Sequence, residues 1–139
     1  MITLNKNNIT VDEYLYLRER VNWNKLSIEQ AEKAIHNSLF FVKAVSEDGN
    51  VVGMGRIVGD GAVICYIQDL VVLPEVQHQG VGSLIISELK QFVDSLRQEN
   101  TTMMLGLMCA KGREPFYEKH GFIARPTDSL GPGMIMYLS

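Results

Sequence analysis

Asp69-Leu-Val-Val-Leu-Pro-Glu-Val-Gln-His-Gln-Gly-Val-Gly-Ser-Leu84 is the stretch of this 139-residue chain that decides its fold. An apolar run reaches Pro74 and stops, because proline lacks the N–H that a sheet ladder needs. A loop with Gly80 and Gly82 then opens into a segment whose apolar residues Leu84, Ile85, Leu89, Phe92, Val93 and Leu96 form one broad stripe. The reading is a strand, a glycine loop and a helix from about Val81 to Glu99. Glycines at such a junction let the backbone pass close to a ligand. The first N–H groups of a helix have no internal partners, and the helix dipole makes that end electropositive. These features together describe an anion site, most naturally one for phosphates.

Two familiar phosphate loops do not fit. A Walker loop needs Gly-Lys-Ser/Thr, but Gly82 is followed directly by Ser83. The dinucleotide fingerprint needs a third glycine three residues beyond Gly82, where Ile85 stands. From these residues alone, a loop that merely shapes a tight connection remains an open alternative.

Working outward, Ala62 to Leu73 reads as a central strand covered on both faces. Leu39 to Ser46 and Val51 to Val58 precede it as strands, with turns at Glu47-Asp48-Gly49-Asn50 and Asp60-Gly61. Upstream lie a short strand from Met1 to Leu4, extending to Ile9 in a longer version, and a helix over Val11 to Val21. A second helix follows, beginning at the capping box Ser27-Ile-Glu-Gln30. Downstream, Thr102 to Cys109 is a strand, and strand–helix–strand spacing makes it parallel to the one before the long helix. A short helix from Arg113 to His120 ends at Gly121, and Phe122 to Arg125 and Met134 to Leu138 read as closing strands. The order is β-α-α-β-β-β-α-β-α-β-β, an α/β fold on a mixed, mostly antiparallel sheet. No linker or repeat divides it, so residues 1–139 read as one domain.

Composition narrows the function. The chain is 46% hydrophobic and 21% charged, with a net charge of −3 and no basic block, which argues against nucleic-acid binding and electrostatic membrane attachment. No apolar run approaches the roughly 20 residues of a spanning helix, and the opening residues lack a signal-peptide core. Cys65 and Cys109 lie in apolar runs and are expected as buried free thiols, so the expected compartment is the cytoplasm. No cluster of Cys and His has zinc spacing, and no metal is expected.

Gln77-His78-Gln79-Gly80-Val81-Gly82 resembles the Gln/Arg-x-x-Gly-x-Gly/Ala signature of the GNAT acetyltransferases, and Phe116-Tyr117-Glu118-Lys119-His120-Gly121-Phe122 resembles that family's Phe-Tyr-x-x-x-Gly-Phe. The likeness spans almost the whole chain, since the order of elements also matches, and the two motifs together are far more specific than either alone. It implies an acetyl-coenzyme-A-dependent N-acetyltransferase with a splayed pair of central parallel strands. It places Gln77, Gln79, Gly80, Val81, Gly82 and Ser83 at the coenzyme, the main-chain N–H groups of Gln79 to Ser83 holding its pyrophosphate. Leu70, Val71 and Val72 would pair with the pantetheine arm, and the N–H of Leu70 or a neighbour would polarise the thioester carbonyl. One departure stands out: many relatives carry Asn seven residues before the tyrosine, where this chain has Ala110, so that coenzyme contact is not carried over.

Transfer to an amine needs a proton removed from the ammonium and one delivered to the leaving thiolate. The resemblance assigns the second task to Tyr117; packing beside Phe116 is the structural alternative. Asp69, a carboxylate in an apolar strand, is a candidate base, with the capping of a nearby loop as an equal alternative. Tyr66, Gln68 and Trp23 are candidates for lining the acceptor cleft, although a tryptophan is more often core. An acyl intermediate on Cys109 is conceivable, but no histidine is placed to activate it, which favours direct transfer. The acceptor is a small-molecule amine or a peptide or protein amine. The alternative is a non-catalytic acyl-coenzyme-A-binding or sensing module, and the free edges of the sheet would support a homodimer.

Overall fold

A computed structural model describes all 139 residues, which fall into two compact units, residues 1–107 and 108–139. The first unit contains β1 (Thr3–Lys6), α1 (Val11–Arg20), α2 (Ile28–His36), β2 (Phe40–Val45), β3 (Val51–Gly59), β4 (Ile64–Val72), α3 (Val81–Leu96) and β5 (Met104–Leu107). Its five strands form one sheet in the order β1-β2-β3-β4-β5. The first four are antiparallel neighbours, and β4 and β5 are parallel.

Local chemistry sets the element boundaries. Ser27 and Gln30 form the reciprocal capping box expected for α2, and Thr10 and Glu13 form a second one at the start of α1. The β3–β4 turn is fixed by Asp60, whose Oδ1 accepts the N–H groups of Ala62, Val63 and Ile64, with Gly61 at φ +72°. The long helix ends at Leu96, three residues before the expected limit, and β5 is shorter than the expected Thr102 to Cys109 strand.

Helices cover both faces of the sheet. Adjacent β2 residues point to opposite sides. Phe40 stacks on Phe92 of α3 with centroids 4.3 Å apart, while Phe41 meets the ring of Tyr14 of α1 edge-on at 5.8 Å. On the α3 side the core is built from Val81, Ile85, Ile86, Leu89 and Val93 against the sheet. Gly55 of β3 makes this close approach possible: a Cβ there would stand 2.9 Å from both Ile85 and Leu89.

The second unit holds α4 (Glu114–Lys119), closed by Gly121 at φ +95° as its expected left-handed cap. Two expectations are corrected here. Phe122 to Arg125 and Met134 to Leu138 are not strands, because propensity marks a segment's fit to a sheet but does not itself supply a neighbour in register. Within residues 1–107 the parallel pair is β4 with β5, the last two strands in the order. Cys109 is also exposed, unlike the buried Cys65, and both are free thiols. No helix is long and apolar enough to cross a membrane.

Replacing Gly55 with valine is expected to lower the unfolding free energy by about 1–3 kcal/mol through overpacking against α3, read from the denaturant midpoint. An unchanged midpoint would show that α3 does not sit this closely on β3.

Candidate functional site

The register of β3 against β4 slips between Met54 and Arg56: Met54 faces Val71, yet Arg56 faces Gln68. Gly55 alone therefore spans Asp69 and Leu70, which makes this a β-bulge. Asp69 adopts φ +56°, the left-handed region that Asp and Asn tolerate better than other side chains. The bulge breaks the alternation of the strand. Leu70 packs beside Ile85 and Leu89 at Gly55, on the α3 side. Asp69 instead reaches α1, where its Oδ2 accepts the Tyr14 hydroxyl at 2.5 Å and its Oδ1 accepts Arg18 at 2.5 Å. Arg56 Nε adds a third bond to Oδ2 at 2.8 Å.

This cluster is nearly dry: the side chains of Asp69, Arg18 and Arg56 are 1%, 12% and 13% exposed. Burial, then the charge of Asp69 and the hydrogen bond to it, push the Tyr14 phenol up to about 12, so it stays a proton donor. Arg18 also donates to the Asn24 carbonyl at 3.0 Å and lies 5.3 Å from the Trp23 ring centroid. The connection between α1 and α2 is thereby tied to the bulge in β4.

Beyond the bulge β4 has an open edge. It pairs with β5 only from Ile64 to Ile67, so Gln68 to Val72 carry no strand on that side. The following 3-10 turn, Pro74–Val76, leads into a loop that Gln77 fastens by donating to the Val72 carbonyl at 3.1 Å. His78 and Gly80 both take positive φ, at +68° and +79°. Gly80 is the N-cap of α3, and no side chain caps that helix, so the N–H groups of Val81 and Gly82 are left to a ligand or to water. A Cβ at Gly80 would meet nothing within 4 Å, which leaves conformation and ligand approach, rather than packing, as the reason for glycine there.

In the second unit, Tyr117 packs edge-on against Phe116 at 5.1 Å and Phe122 at 6.0 Å. Its hydroxyl makes no hydrogen bond within the chain. Burial, reinforced by Cys109 and opposed by Arg113, pushes this phenol up to about 12. The Cys109 thiol is itself raised by burial and by the nearby Glu114, with Sγ 3.7 Å from Glu114 Oε1. That is an unfavourable place for a nucleophilic thiolate.

The sequence-predicted residues thus fall into distinct groups. Leu70, Val71 and Val72 lie on the open part of β4, and Gln77, Gln79, Gly80, Val81, Gly82 and Ser83 form the loop and first turn beyond it. Tyr66 and Gln68 occupy alternate β4 positions on the face that carries Arg56, both partly accessible. Trp23 is 39% exposed rather than core, held against Arg18. Asp69 is shut off from solvent and accepts from three donors, an arrangement that matches the structural side of the alternative left open by the sequence. Tyr14, Arg18 and Arg56 were missed. The signal was available, since a carboxylate in an apolar strand demands partners, and Tyr14 and Arg18 stand one helical turn apart.

A bulged strand that parts from its parallel neighbour above a glycine loop and an uncapped helix defines an acyl-coenzyme-A-type transferase fold. Residues 36–124 match the family model for the acetyltransferase (GNAT) domain. The uncharacterized N-acetyltransferase ycf52 of Pyropia yezoensis is 30% identical over 127 residues, covering 89% of this chain and 71% of that protein. A probable acetyltransferase from meticillin-resistant Staphylococcus aureus superimposes with a TM-score of 0.86 at 29% identity, over 99% of this chain and 100% of the other. A GNAT family acetyltransferase from Streptococcus pneumoniae does so at 0.83 and 31%, over 99% and 98%. The chain belongs to the GNAT acetyltransferase family and is an enzyme of the N-acetyltransferase class.

Asp69→Ala leaves two buried guanidinium groups without their counter-charge and is expected to cost about 3–5 kcal/mol of stability. Tyr14→Phe removes one hydrogen bond to a charged group and is expected to cost about 1.5–3 kcal/mol. Denaturant unfolding checks both, and a change within about 0.5 kcal/mol, as at an ordinary surface site, would contradict the assignment.

Proposed function

We propose that the chain, acting as one domain over residues 1–139, transfers an acetyl group from acetyl coenzyme A directly to a primary amine. The observation that carries this reading is the adjacency of the unpaired β4 edge, Gln68 to Val72, and the loop into α3. Free backbone groups suit the amide-bearing pantetheine arm, and the uncapped helix start suits a diphosphate. Family correspondence alone brings Tyr117 to the same chemistry. The cytoplasm remains the compartment we propose.

Each residue then has one task. The N–H groups from Gln79 to Ser83 hold the diphosphate, with Gln77 fixing the loop that presents them. Val71 and Val72 align the pantetheine arm. The Leu70 N–H polarises the thioester carbonyl and stabilises the negative charge that develops on its oxygen, a contribution of roughly 3 kcal/mol for one such donor. Tyr66, Gln68 and Trp23 line the approach of the acceptor, whose ammonium gives its surplus proton to water. The amine nitrogen forms its bond to the acyl carbon as the carbon–sulfur bond breaks, and the second proton that this nitrogen then carries in excess of the amide also passes to water. Tyr117 delivers its proton to the departing thiolate and is reprotonated from solvent. Asp69 holds the bulge that aims Leu70 and takes no proton.

Release of free thiol with a panel of amines tests the reading. Tyr117→Phe is expected to lower kcat roughly 10–1,000-fold with little change in coenzyme affinity. Unchanged turnover would remove Tyr117 from the acid role. Because its phenol is raised to about 12, the acid form persists at neutral and moderately alkaline pH, so a wild-type activity loss near pH 10 would point to another acid. Cys109→Ser is expected to retain turnover, and its inactivation would favour an acyl-cysteine route instead. Gly82→Trp is expected to abolish coenzyme binding with an unchanged circular dichroism spectrum. Tight coenzyme binding with no turnover on any amine would make the chain a binding module.

A further inference from the structure

The ion cluster around Asp69 is not neutral. Two guanidinium groups, Arg18 and Arg56, share this one carboxylate, and their side chains are 12% and 13% exposed. Their other hydrogen bonds go to uncharged groups, Arg18 to the Asn24 carbonyl and Arg56 to the Ser38 hydroxyl. Arg18 Nε is buried and has no hydrogen-bond partner. One positive charge is left over, and a guanidinium cannot shed a proton to remove it. In so poorly solvated a place that charge acts far more strongly than it would in water.

The excess charge reaches the surface within the first unit. The bond from Arg18 to Asn24 lies there, beside the exposed Trp23 ring. The connection over residues 21–26 holds one charged side chain, the exposed Lys25, which is also positive. Arg56 stands directly across from the half-buried Gln68 in the β3–β4 register. Each guanidinium therefore adjoins one of the residues assigned to the acceptor's approach. The carboxylates of Glu13 and Glu75 are held in ion pairs of their own, with Lys43 and Arg20. The local sign is thus opposite to that of the whole chain, whose net charge is −3.

We infer that the acceptor is a primary amine that also carries an anionic group, a carboxylate or a phosphate, whose charge is met by Arg18, Arg56 and Lys25 beside Trp23. This names the substrate class of the transfer proposed above and rests on that reading. Guanidinium forks suit carboxylate and phosphate oxygens alike. Asp69 already fixes both forks, so little ordering remains when the anion arrives. Selection also works by exclusion, since an amine without the anion leaves the excess charge unmatched and brings a like charge towards it.

Amines in matched pairs test this, each followed by release of free thiol from acetyl coenzyme A: β-alanine against β-alaninamide, and O-phosphoethanolamine against ethanolamine. The anionic member is expected to show a kcat/KM roughly tenfold higher or more, and the better of the two pairs separates carboxylate from phosphate. Lys25→Glu alters an exposed loop side chain and is expected to keep the wild-type circular dichroism spectrum. It is expected to raise KM for the anionic member roughly threefold or more with kcat little changed, and to move the neutral member's KM by less than about twofold. Equal or better use of the neutral members, or an anionic KM that Lys25→Glu leaves unmoved, would overturn the inference without touching the transferase reading. If no amine is turned over, the Arg18 Nε–H and Trp23 indole N–H NMR signals are followed during titration with β-alanine and with O-phosphoethanolamine. A saturable shift that Lys25→Glu weakens would uphold the anion site while the transferase reading fails, and no shift with either compound would overturn the inference as well.

Discussion

Asp69 is the point on which the geometry of this molecule turns. A β-strand left to itself would run straight through this position and keep its neighbours in register. Here the carboxylate is drawn towards α1 by the Tyr14 hydroxyl and two guanidinium groups, and the backbone follows into a left-handed conformation. Such a conformation costs roughly 1–2 kcal/mol, which three charge-assisted bonds in a dry setting offset. The consequence is a strand with two different halves. The first pairs with both β3 and β5, and the second, past the bulge, pairs with β3 alone.

The same three donors connect parts of the chain that have separate tasks. Arg18 reaches from Asp69 to Asn24 and Trp23, so the link between the first two helices is anchored to the strand beside which chemistry is proposed. Arg56 continues the network to the Ser38 hydroxyl ahead of β2 at 3.2 Å. Two cations share one anion, and their forked donors spread over backbone and hydroxyl acceptors as well. An ion cluster of this kind is weak evidence for extra stability, and its value here lies in the conformation it imposes.

Much of the architecture was legible because it is written locally. Capping boxes involve residues three apart, the Asp60-Gly61 turn is set by one side chain, and the stripe of α3 is a period of 3.6 read directly from apolar positions. The glycine loop was legible for the same reason. What was misread depended on residues far apart in sequence. Alternation cannot reveal a bulge, so the sequence leaves Asp69 open between a base and a structural role, and its partners lie 55, 51 and 13 residues away. Propensity likewise marks Phe122 to Arg125 and Met134 to Leu138 as strands but carries no information about which edge, if any, receives them. Trp23 is 39% exposed, with the Arg18 guanidinium 5.3 Å from its ring centroid, a pairing that periodicity does not encode.

The proposed chemistry requires that the second half of β4 and the loop beyond it act together as one ligand surface. Titration of the ¹⁵N-labelled protein with coenzyme A, followed through backbone amide chemical shifts, addresses this directly. The expected result is a saturable response concentrated at Leu70 to Val72 and Gln79 to Ser83, with the amides of β1 and β2 unmoved. Saturation that leaves both of those segments undisturbed, or no response at millimolar coenzyme A, would contradict it.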